Sequence, residues 1–259
     1  MTTHYHGGPH WGGLEVMNAL YRNTGAMVSY HRPEQLLKIR KVAESVVLDN
    51  GAFSSWRKSK KAGAIVNWDE HWAKYYAFVT VNWGNIDYFV IPDVIEGDEA
   101  ENDRQITLVP DWMKAKAIPV WHSDESIGKL LRLADDFDRV AIGCCGDHAR
   151  IRTAAWEKRM NEAFTALYIE NKKQVKIHGL RMLDGRVMAK YPFHSCDSAN
   201  VAINVPKHKI KYPHLIGKLT RTAVLRAAIE KIKPPSVEAW VAGFKQKSED
   251  QYEFVTGGG

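Results

Sequence analysis

Short apolar runs alternate along this chain with longer stretches in which apolar residues recur at helical spacing. Each short run is bounded by turn-forming or polar residues, which is typical of β-strands covered on both faces. Seven strands are predicted in this way, at residues 26–30, 45–48, 86–91, 118–121, 139–142, 174–177 and within 193–200.

The stretches between these runs predict helices at residues 34–44, 68–80, 103–116 with a break at Pro110, 127–137, 151–168 and 218–231. Strands that alternate with helices imply βαβ units and a parallel sheet. We therefore predict an α/β fold, a single (β/α)8 TIM-like barrel forming one domain over residues 1–259. Residues 1–25, rich in Gly, His and Trp, predict a loop-rich N-terminal cap, and residues 252–259 predict a flexible tail.

Polar residues are concentrated where the predicted strands end. In a barrel of parallel strands, the carboxyl ends share one face, and that face carries the chemistry. The residues at this level are Asp49, Asp93, His122, the Gly143–Cys144 turn, His178 and Asp197. Taken singly, Asp49 could be a turn residue and Asp93 a helix cap. Taken together, the pattern predicts that Asp49 and Asp197 face each other across one active site.

The formal net charge is +6 and the sequence pI is about 9.1, which permits a polyanionic partner without requiring one. The excess is concentrated between Lys207 and Lys233, where eight basic residues accompany one acid, Glu230. This segment predicts contacts with a nucleic-acid backbone, with a solvated helix face as the alternative. The predicted contacts are Lys207, Lys209, Lys211, Lys218 and Arg221.

The remaining composition narrows the class of protein. There is no run of about 18 apolar residues, so no membrane span is expected, and the N-terminus lacks the pattern of a secretory signal. Three cysteines, two of them adjacent, form no disulfide framework and fit a reducing cytoplasm, or the host cytoplasm for a viral protein. The chain has neither a Gly-x-Gly-x-x-Gly motif after its first strand nor a Walker-type loop, and no cofactor is expected.

A metal-dependent barrel hydrolase is the alternative class of enzyme. His4 and His6 form a His-x-His pair, and His122, His178 and Asp197 follow at strand ends. Such imidazoles and carboxylates can hold one or two divalent ions that activate water. Few residues precede His4, however, so no strand is expected to present the pair, and no bound metal is predicted.

Six short motifs, in this order along the chain, resemble the tRNA-guanine transglycosylase superfamily. The resemblance is greatest to its phage and bacterial branch, which places 7-deazaguanines into DNA. The motifs fall within roughly residues 45–205 and are Leu48-Asp49-Asn50-Gly51-Ala52-Phe53, Pro92-Asp93, Val120-Trp121-His122, Ile142-Gly143-Cys144, His178-Gly179-Leu180 and Cys196-Asp197-Ser198. Each motif is short, so the specificity comes from their order and from their places at strand ends.

The resemblance implies an enzyme that exchanges a base without breaking the strand, on a nucleotide that has left its stack. Asp197 would attack C1′ of the target guanosine and form a covalent glycosyl-enzyme, whereas Asp49 would handle protons on the leaving and incoming bases. The implied base-binding residues are Asp93, His122, Gly143, Cys144 and Phe53. The implied neighbours of the sugar and the nucleophile are His178, Gly179 and Ser198.

Several positions depart from the family pattern. Asn50 and Ala52 stand where the family usually has Ser and Gly, and His122 stands where a base-reading glutamine is common. No cysteine-rich zinc motif follows Asp197, and the chain is too short for an added RNA-binding domain. These departures favour DNA over tRNA as the polymer partner, with a 7-deazaguanine (preQ0-like) base as the second substrate. The sequence leaves open whether the chain forms a homodimer or needs a helper protein.

Overall fold

The computed structural model describes residues 3–8, 10, 12–63, 65–95, 97–244 and 246. The tail predicted at 252–259 therefore lies outside the described residues. One sheet contains the strands β1 (His4–Gly7), β2 (Gly25–Ser29), β3 (Ser45–Asp49), β4 (Tyr88–Val90), β5 (Ala117–Ile118), β6 (Val120–His122), β7 (Arg139–Gly143), β8 (Lys176–Gly179) and β9 (Ser195–Ser198).

The α-helices are α1 (Leu14–Tyr21), α2 (Leu36–Arg40), α3 (Ala52–Ala62), α4 (Trp68–Val81), α5 (Glu99–Thr107), α6 (Ile127–Asp136), α7 (Ala154–Phe164), α8 (Gly185–Met188), α9 (Asn200–Lys211) and α10 (Gly217–Glu230). Short 3-10 segments lie at Pro33–Gln35, Trp83–Asn85, Asp111–Lys116 and Gly146–His148. The predicted helix 151–168 is α7 followed by a π-helical turn, Thr165–Glu170. No helix among the described residues combines the length and apolar character needed to cross a bilayer.

The sheet closes into a barrel through a split strand. Its order is β5-β4-β3-β2-β1-β9-β8-β7-β6, with parallel pairing throughout, so β5 and β6 are its two ends. A single residue, Pro119, separates them. Proline has no N–H to continue the ladder, so the strand is interrupted there. The Pro119 carbonyl still accepts a hydrogen bond of 2.8 Å from the Ala141 amide. Counting these two halves as one strand reduces nine strands to eight, and the predicted (β/α)8 barrel is confirmed.

The strand register separates an inner core from an outer one. Successive side chains on a strand point to opposite faces, so every second residue enters the barrel. The inner cluster contains Tyr5, Met27, Val47, Val90, Ile118, Val120 and Ala141. The alternate strand residues pack outwards against the helices in two larger clusters. This parity decides which polar side chains at the strand ends reach the barrel axis.

The predicted loop-rich cap over residues 1–25 is wrong. His4–Gly7 is a barrel strand that pairs with both β2 and β9, and α1 follows it. Tyr5, its inward residue, is fully buried and its hydroxyl lies 2.9 Å from Ser45 Oγ. The polar sequence of β1 does not itself predict a strand. Hydrogen bonds from the two neighbouring strands hold it in the sheet.

Candidate active site

Three aspartates lie at or close after strand ends on the carboxyl face of the barrel. Asp49 is the last residue of β3, Asp197 lies in β9, and Asp93 follows β4 by three residues. Val47 and Tyr5 are inner-core residues, so Asp49, two positions after Val47, and Asp197, the register partner of Tyr5, both face the barrel axis. Asp197 lies near enough to Asp49 for its charge to raise the Asp49 pKa.

The Asp49 carboxyl is in an environment that resists ionisation. Burial raises its pKa, and the charges of Asp197 and Asp93 raise it further, against a hydrogen bond from Ser29 and the charge of Arg181, to about 6 from an ordinary 3.8. Oδ2 also accepts a hydrogen bond of 3.2 Å from the Gly51 amide. A carboxyl with this pKa can both donate and accept a proton near neutral pH.

The Asp197 carboxylate is held from two sides. Its Oδ1 accepts a hydrogen bond of 2.9 Å from the Arg181 amide and lies 3.4 Å from His178 Nε2. Both Asp197 and His178 are buried, with 7% and 1% of their surface exposed. These contacts fix the carboxylate at the mouth of the barrel.

A polar chain along the barrel interior orients His178. The Arg139 guanidinium donates to Ser195 Oγ at 3.3 Å, and Ser195 Oγ lies 2.8 Å from His178 Nδ1. Arginine can only donate, which leaves the serine hydroxyl proton to point at Nδ1. This arrangement favours the tautomer with its ring proton on Nε2, the nitrogen nearest Asp197.

Asp93 belongs to a second polar chain. Its Oδ1 accepts a hydrogen bond of 2.7 Å from Asn50 Nδ2, and its Oδ2 lies 3.1 Å from His122 Nε2. On the other side of the imidazole, Nδ1 lies 3.4 Å from Glu125 Oε1. Burial lowers the pKa of His122, but the hydrogen bonds and charges of Asp93 and Glu125 raise it by more, to about 9. His122 is therefore an imidazolium between two carboxylates at neutral pH.

Buried partners fix Glu125 in turn. Its Oε1 accepts hydrogen bonds from Lys129 Nζ at 2.8 Å and Asn102 Nδ2 at 3.2 Å, and the Lys129 side chain is fully buried. Although burial acts to raise the pKa of Glu125, hydrogen bonds from His122 and Lys129 hold it below the ordinary value. The line Asp93–His122–Glu125–Lys129 thus alternates in charge.

We predict that His122 titrates near pH 9 and that Glu125→Gln moves its pKa down towards 6.5, because one of the two neighbouring charges is lost. A folded pKa above the unfolded one stabilises the protein below pH 6.5, and this contribution is lost as the pH rises through 9. We expect the wild type to lose about 3 kcal/mol of stability over that range, and we expect His122→Gln to show no such loss. Imidazole NMR titration and urea unfolding measure both effects; titration of His122 near 6.5 in the wild type would contradict them.

Phe53 lies at the first turn of α3 beside an arginine that the sequence did not single out. The Arg181 guanidinium stacks over the Phe53 ring, with Cζ 4.0 Å from the ring centroid. The Arg181 amide binds Asp197, so this residue connects the flat Phe53 ring to that carboxylate. Arg181 has a left-handed φ of 59°, which turns the chain back over the barrel mouth immediately after β8.

The other implied base and sugar contacts are distributed between the two faces of the strands. Gly143 faces the axis, where a Cβ would lie 3.2 Å from Val120 Cγ1 and 3.4 Å from His122, so glycine leaves room beside the imidazole. Gly179 faces the outer core, where a Cβ would meet Met182 at 2.9 Å. Ser198 Oγ accepts a hydrogen bond from the Asn200 amide at the start of α9. Gly179 and Ser198 thus shape the packing around Asp197.

The thiols at this face are poor nucleophiles. Burial raises the pKa of both Cys144 and Cys145 to about 11, and that of Cys196 well above its ordinary value. Cys144 Sγ accepts a hydrogen bond from Trp156 Nε1 at 3.1 Å, on the outer side of the sheet. The Cys144 side chain therefore packs outwards. The base contact that the resemblance implies for this turn is through its backbone, and it stays a prediction.

His4 and His6 point away from the carboxylates. Tyr5 faces inwards, so its two neighbours face the outer helices, where His4 Nε2 lies 2.9 Å from the Ile232 carbonyl and His6 Nε2 lies 3.0 Å from Glu230. The ligand set of the alternative hydrolase is consequently not brought together. Within the described part of the chain, no group of three or more His, Cys, Asp or Glu side chains is arranged to hold a metal.

The predicted backbone contacts divide between α9 and α10. Lys207, Lys209 and Lys218 are exposed. Lys211 ends α9, which starts directly after β9. The predicted backbone contact through Arg221 is wrong. Arg221 is only 9% exposed and donates to the Val205 and Leu215 carbonyls at 2.9 and 3.1 Å. It joins α10 to α9 and is not available to a phosphate.

Sequence reasoning missed Ser29, Glu125, Arg181 and Ser195, which hold the predicted residues in place. Ser29 ends a strand, as the predicted carboxylates do, and could have been found by that rule. The others follow turns or begin a strand, where only the fold reveals their partners. Comparison with known proteins adds no relative: neither protein-family models nor curated protein sequences match this chain.

Proposed function

We propose that this protein is a base-exchange transglycosylase that replaces guanine in DNA with a 7-deazaguanine (preQ0-like) base. The observation that carries the proposal is the pair Asp49 and Asp197 at one end of the barrel, where the charge of Asp197 helps to raise the Asp49 pKa and the Arg181 amide holds the Asp197 carboxylate. Two carboxyls in different surroundings are suited to different catalytic roles. The motif resemblance supplies the reaction class.

The first half-reaction uses both residues. A carboxylate oxygen of Asp197 forms a bond to C1′ of the target nucleotide, the bond from C1′ to N9 breaks, and its electron pair leaves with the guanine. The protonated form of Asp49, accessible because of its pKa of about 6, donates a proton to the departing base. The product is a glycosyl ester on Asp197, with the phosphodiester backbone intact.

The second half-reaction reverses these roles. N9 of the incoming 7-deazaguanine loses its proton to the Asp49 carboxylate and attacks C1′, and the ester bond to Asp197 breaks. The Asp197 carboxylate and the protonated Asp49 are both regenerated. One titratable group near neutral pH therefore serves both bases, as microscopic reversibility requires.

Recognition of the base falls to the second polar chain. Guanine and 7-deazaguanines present an N–H and an amino group on one edge, and a carboxylate such as Asp93 can accept both. In this proposal the His122 imidazolium orients Asp93, because its Nε2 is directed at that carboxylate. The half-buried Phe53 offers a flat apolar wall for the purine, and Gly143 leaves space beside His122.

We expect that radiolabelled guanine is incorporated into DNA when the wild-type protein is incubated with duplex or single-stranded DNA, and that bulk tRNA gains no label. Acid-precipitable counts measure the incorporation, and unlabelled 7-deazaguanine bases should compete with it. Asp197→Asn is the matched control. Label in tRNA alone would support the exchange reaction but show that the polymer substrate is tRNA and not DNA. Absence of label from every polymer, with no displacement of pre-incorporated guanine by a 7-deazaguanine, would overturn the proposal.

A further inference from the structure

A cavity of about 380 Å³ opens beside the carboxylates, between α3 and the loop that follows β2. Apolar side chains form its floor, and basic or polar side chains form its rim. Its lining is Gly8, Met27, Val28, Ser29, His31, Arg32, Gln35, Ile39, Ser54, Arg57, Lys58 and Lys61. A volume of this size is adequate for one nucleotide unit rather than a bare ion.

The side of the rim formed by α3 carries positive charge. Helix α3 contains four basic residues and no acid. Its cavity-lining members Arg57, Lys58 and Lys61 are exposed, and none is ion-paired with a carboxylate of the described residues. The pKa of His31 is lowered, first by burial and then by the nearby charges of Lys58, Arg32 and Arg57, against the charge of Glu34, so these cations lie near one another around His31. Repulsion among them is relieved when an anion enters.

The cavity is continuous with the catalytic mouth through Ser29 and α3. Ser29 lines the cavity, and its hydroxyl hydrogen bonds to Asp49. Phe53 lies in the first turn of α3, and Arg57 lies in the next turn. The Arg57 guanidinium lies 5.8 Å from the Phe53 ring centroid. A chain that places one nucleotide against Asp49 and Phe53 would therefore place its neighbour over the cavity.

We propose that this cavity binds the sugar-phosphate unit of the nucleotide adjacent to the target, with Arg57, Lys58 and Lys61 on the phosphate and Met27, Val28 and Ile39 under the sugar. The inference rests on the proposed function for the identity of the target nucleotide. Arginine suits this task because its planar fork can engage two phosphate oxygens, and the lysines add charge without fixed geometry. The lining of this cavity includes none of the α9 and α10 lysines.

The test compares two triple variants that remove the same charge. The first is Arg57→Gln, Lys58→Gln and Lys61→Gln. The control is Arg104→Gln, Lys158→Gln and Lys176→Gln, which lie exposed on α5, on α7 and at the start of β8. Fluorescence anisotropy with a labelled single-stranded DNA measures affinity against salt. We expect the first variant to bind at least about tenfold more weakly, with a slope of log K against log salt lower by about two, at roughly 0.7 per phosphate contact. The control should match the wild type.

Single methylphosphonate linkages then locate the contact. A neutral linkage beside the target guanosine should weaken binding to the wild type and leave binding to the first variant unchanged. Equal losses in both variants, or equal sensitivity to the linkage, would overturn the proposal, as would absence of DNA binding by the wild type. Guanosine 5′-monophosphate is the competitor that separates a free nucleotide from the polymer; its binding in the cavity, without a polymer effect, would refute the polymer assignment.

Base exchange by the same variants separates this inference from the proposed function. If the wild type exchanges bases and the first variant does so with an unchanged KM, the cavity proposal fails and the proposed function stands. If the wild type exchanges no base but the charge and linkage effects on binding appear, the phosphate site stands and the proposed function fails. Thermal melting of all three proteins verifies that the fold is retained.

Discussion

Base exchange is expected to fall by about 10⁴-fold or more in Asp197→Asn, because an amide cannot supply the oxygen nucleophile on which the covalent route depends. The change preserves the shape of the side chain, and the amide oxygen can still accept the hydrogen bond that the Arg181 amide donates to Oδ1. We therefore expect the melting temperature to stay within a few degrees of the wild type. The loss would then be chemical and not structural.

Trapping the intermediate makes this prediction sharper than a rate alone. With DNA and no incoming base, the wild type should accumulate a protein–DNA adduct that resists denaturing electrophoresis and disappears when guanine is added. Asp197→Asn should form none, and Asp197→Ala should behave identically. An adduct of undiminished yield in either variant would place the nucleophile elsewhere and contradict the assignment of Asp197.

The barrel could be predicted from the sequence because its signals are local. The alternation of short apolar runs with helical periodicity indicated the strands β2 to β9 to within a few residues, although the break at Pro119 was not foreseen. The first strand could not be predicted, since only Tyr5 of its four residues is an inner apolar residue. Its order comes from hydrogen bonds to β2 and β9, strands that lie far apart in the sequence.

The strand-end rule selected residues that the barrel does bring to one face, but it could not fix the directions of their side chains. His4 and His6 lie on a strand, as metal ligands in barrels do, yet parity turns them outwards to Ile232 and Glu230. The same parity brings Asp49, His122 and Asp197 inwards. A displacement of β1 by one residue would reverse the sides of its histidines, and sequence periodicity does not determine this register in so short a strand.

Partners of the candidate residues were the least predictable part. Glu125 was visible only as one acid in a polar turn, and its role depends on Lys129 and Asn102, which helices α6 and α5 bring to it. Arg181 acts through a backbone amide and a stacked guanidinium, neither of which leaves a pattern in the sequence. Interactions of this kind depend on the closed barrel, so they become visible only when the fold is known.

Asp49→Asn is expected to abolish efficient exchange and, at the same time, to stabilise the fold at neutral pH. The folded pKa of about 6 exceeds the ordinary 3.8, so the folded protein holds this proton more tightly than the unfolded chain. Stability of the wild type therefore falls as the pH rises from 3.8 through 6. Asparagine does not titrate and can keep the hydrogen bond from the Gly51 amide, so the variant should gain about 3 kcal/mol over the wild type at neutral pH.

Urea unfolding near pH 4 and pH 7.5 measures this gain, which should be absent at the lower pH and present at the higher one. Asp136→Asn, which removes an exposed carboxylate from the outer helix α6, should show no such difference.

Adduct formation by the wild type should slow above the Asp49 pKa of about 6, and Asp49→Asn should lose roughly 10²- to 10⁴-fold in rate with no such pH dependence. An equal stability difference at both pH values would show that Asp49 does not resist ionisation. A stabilising substitution that removes activity would instead mark this carboxyl as retained for proton transfer at a cost to the fold.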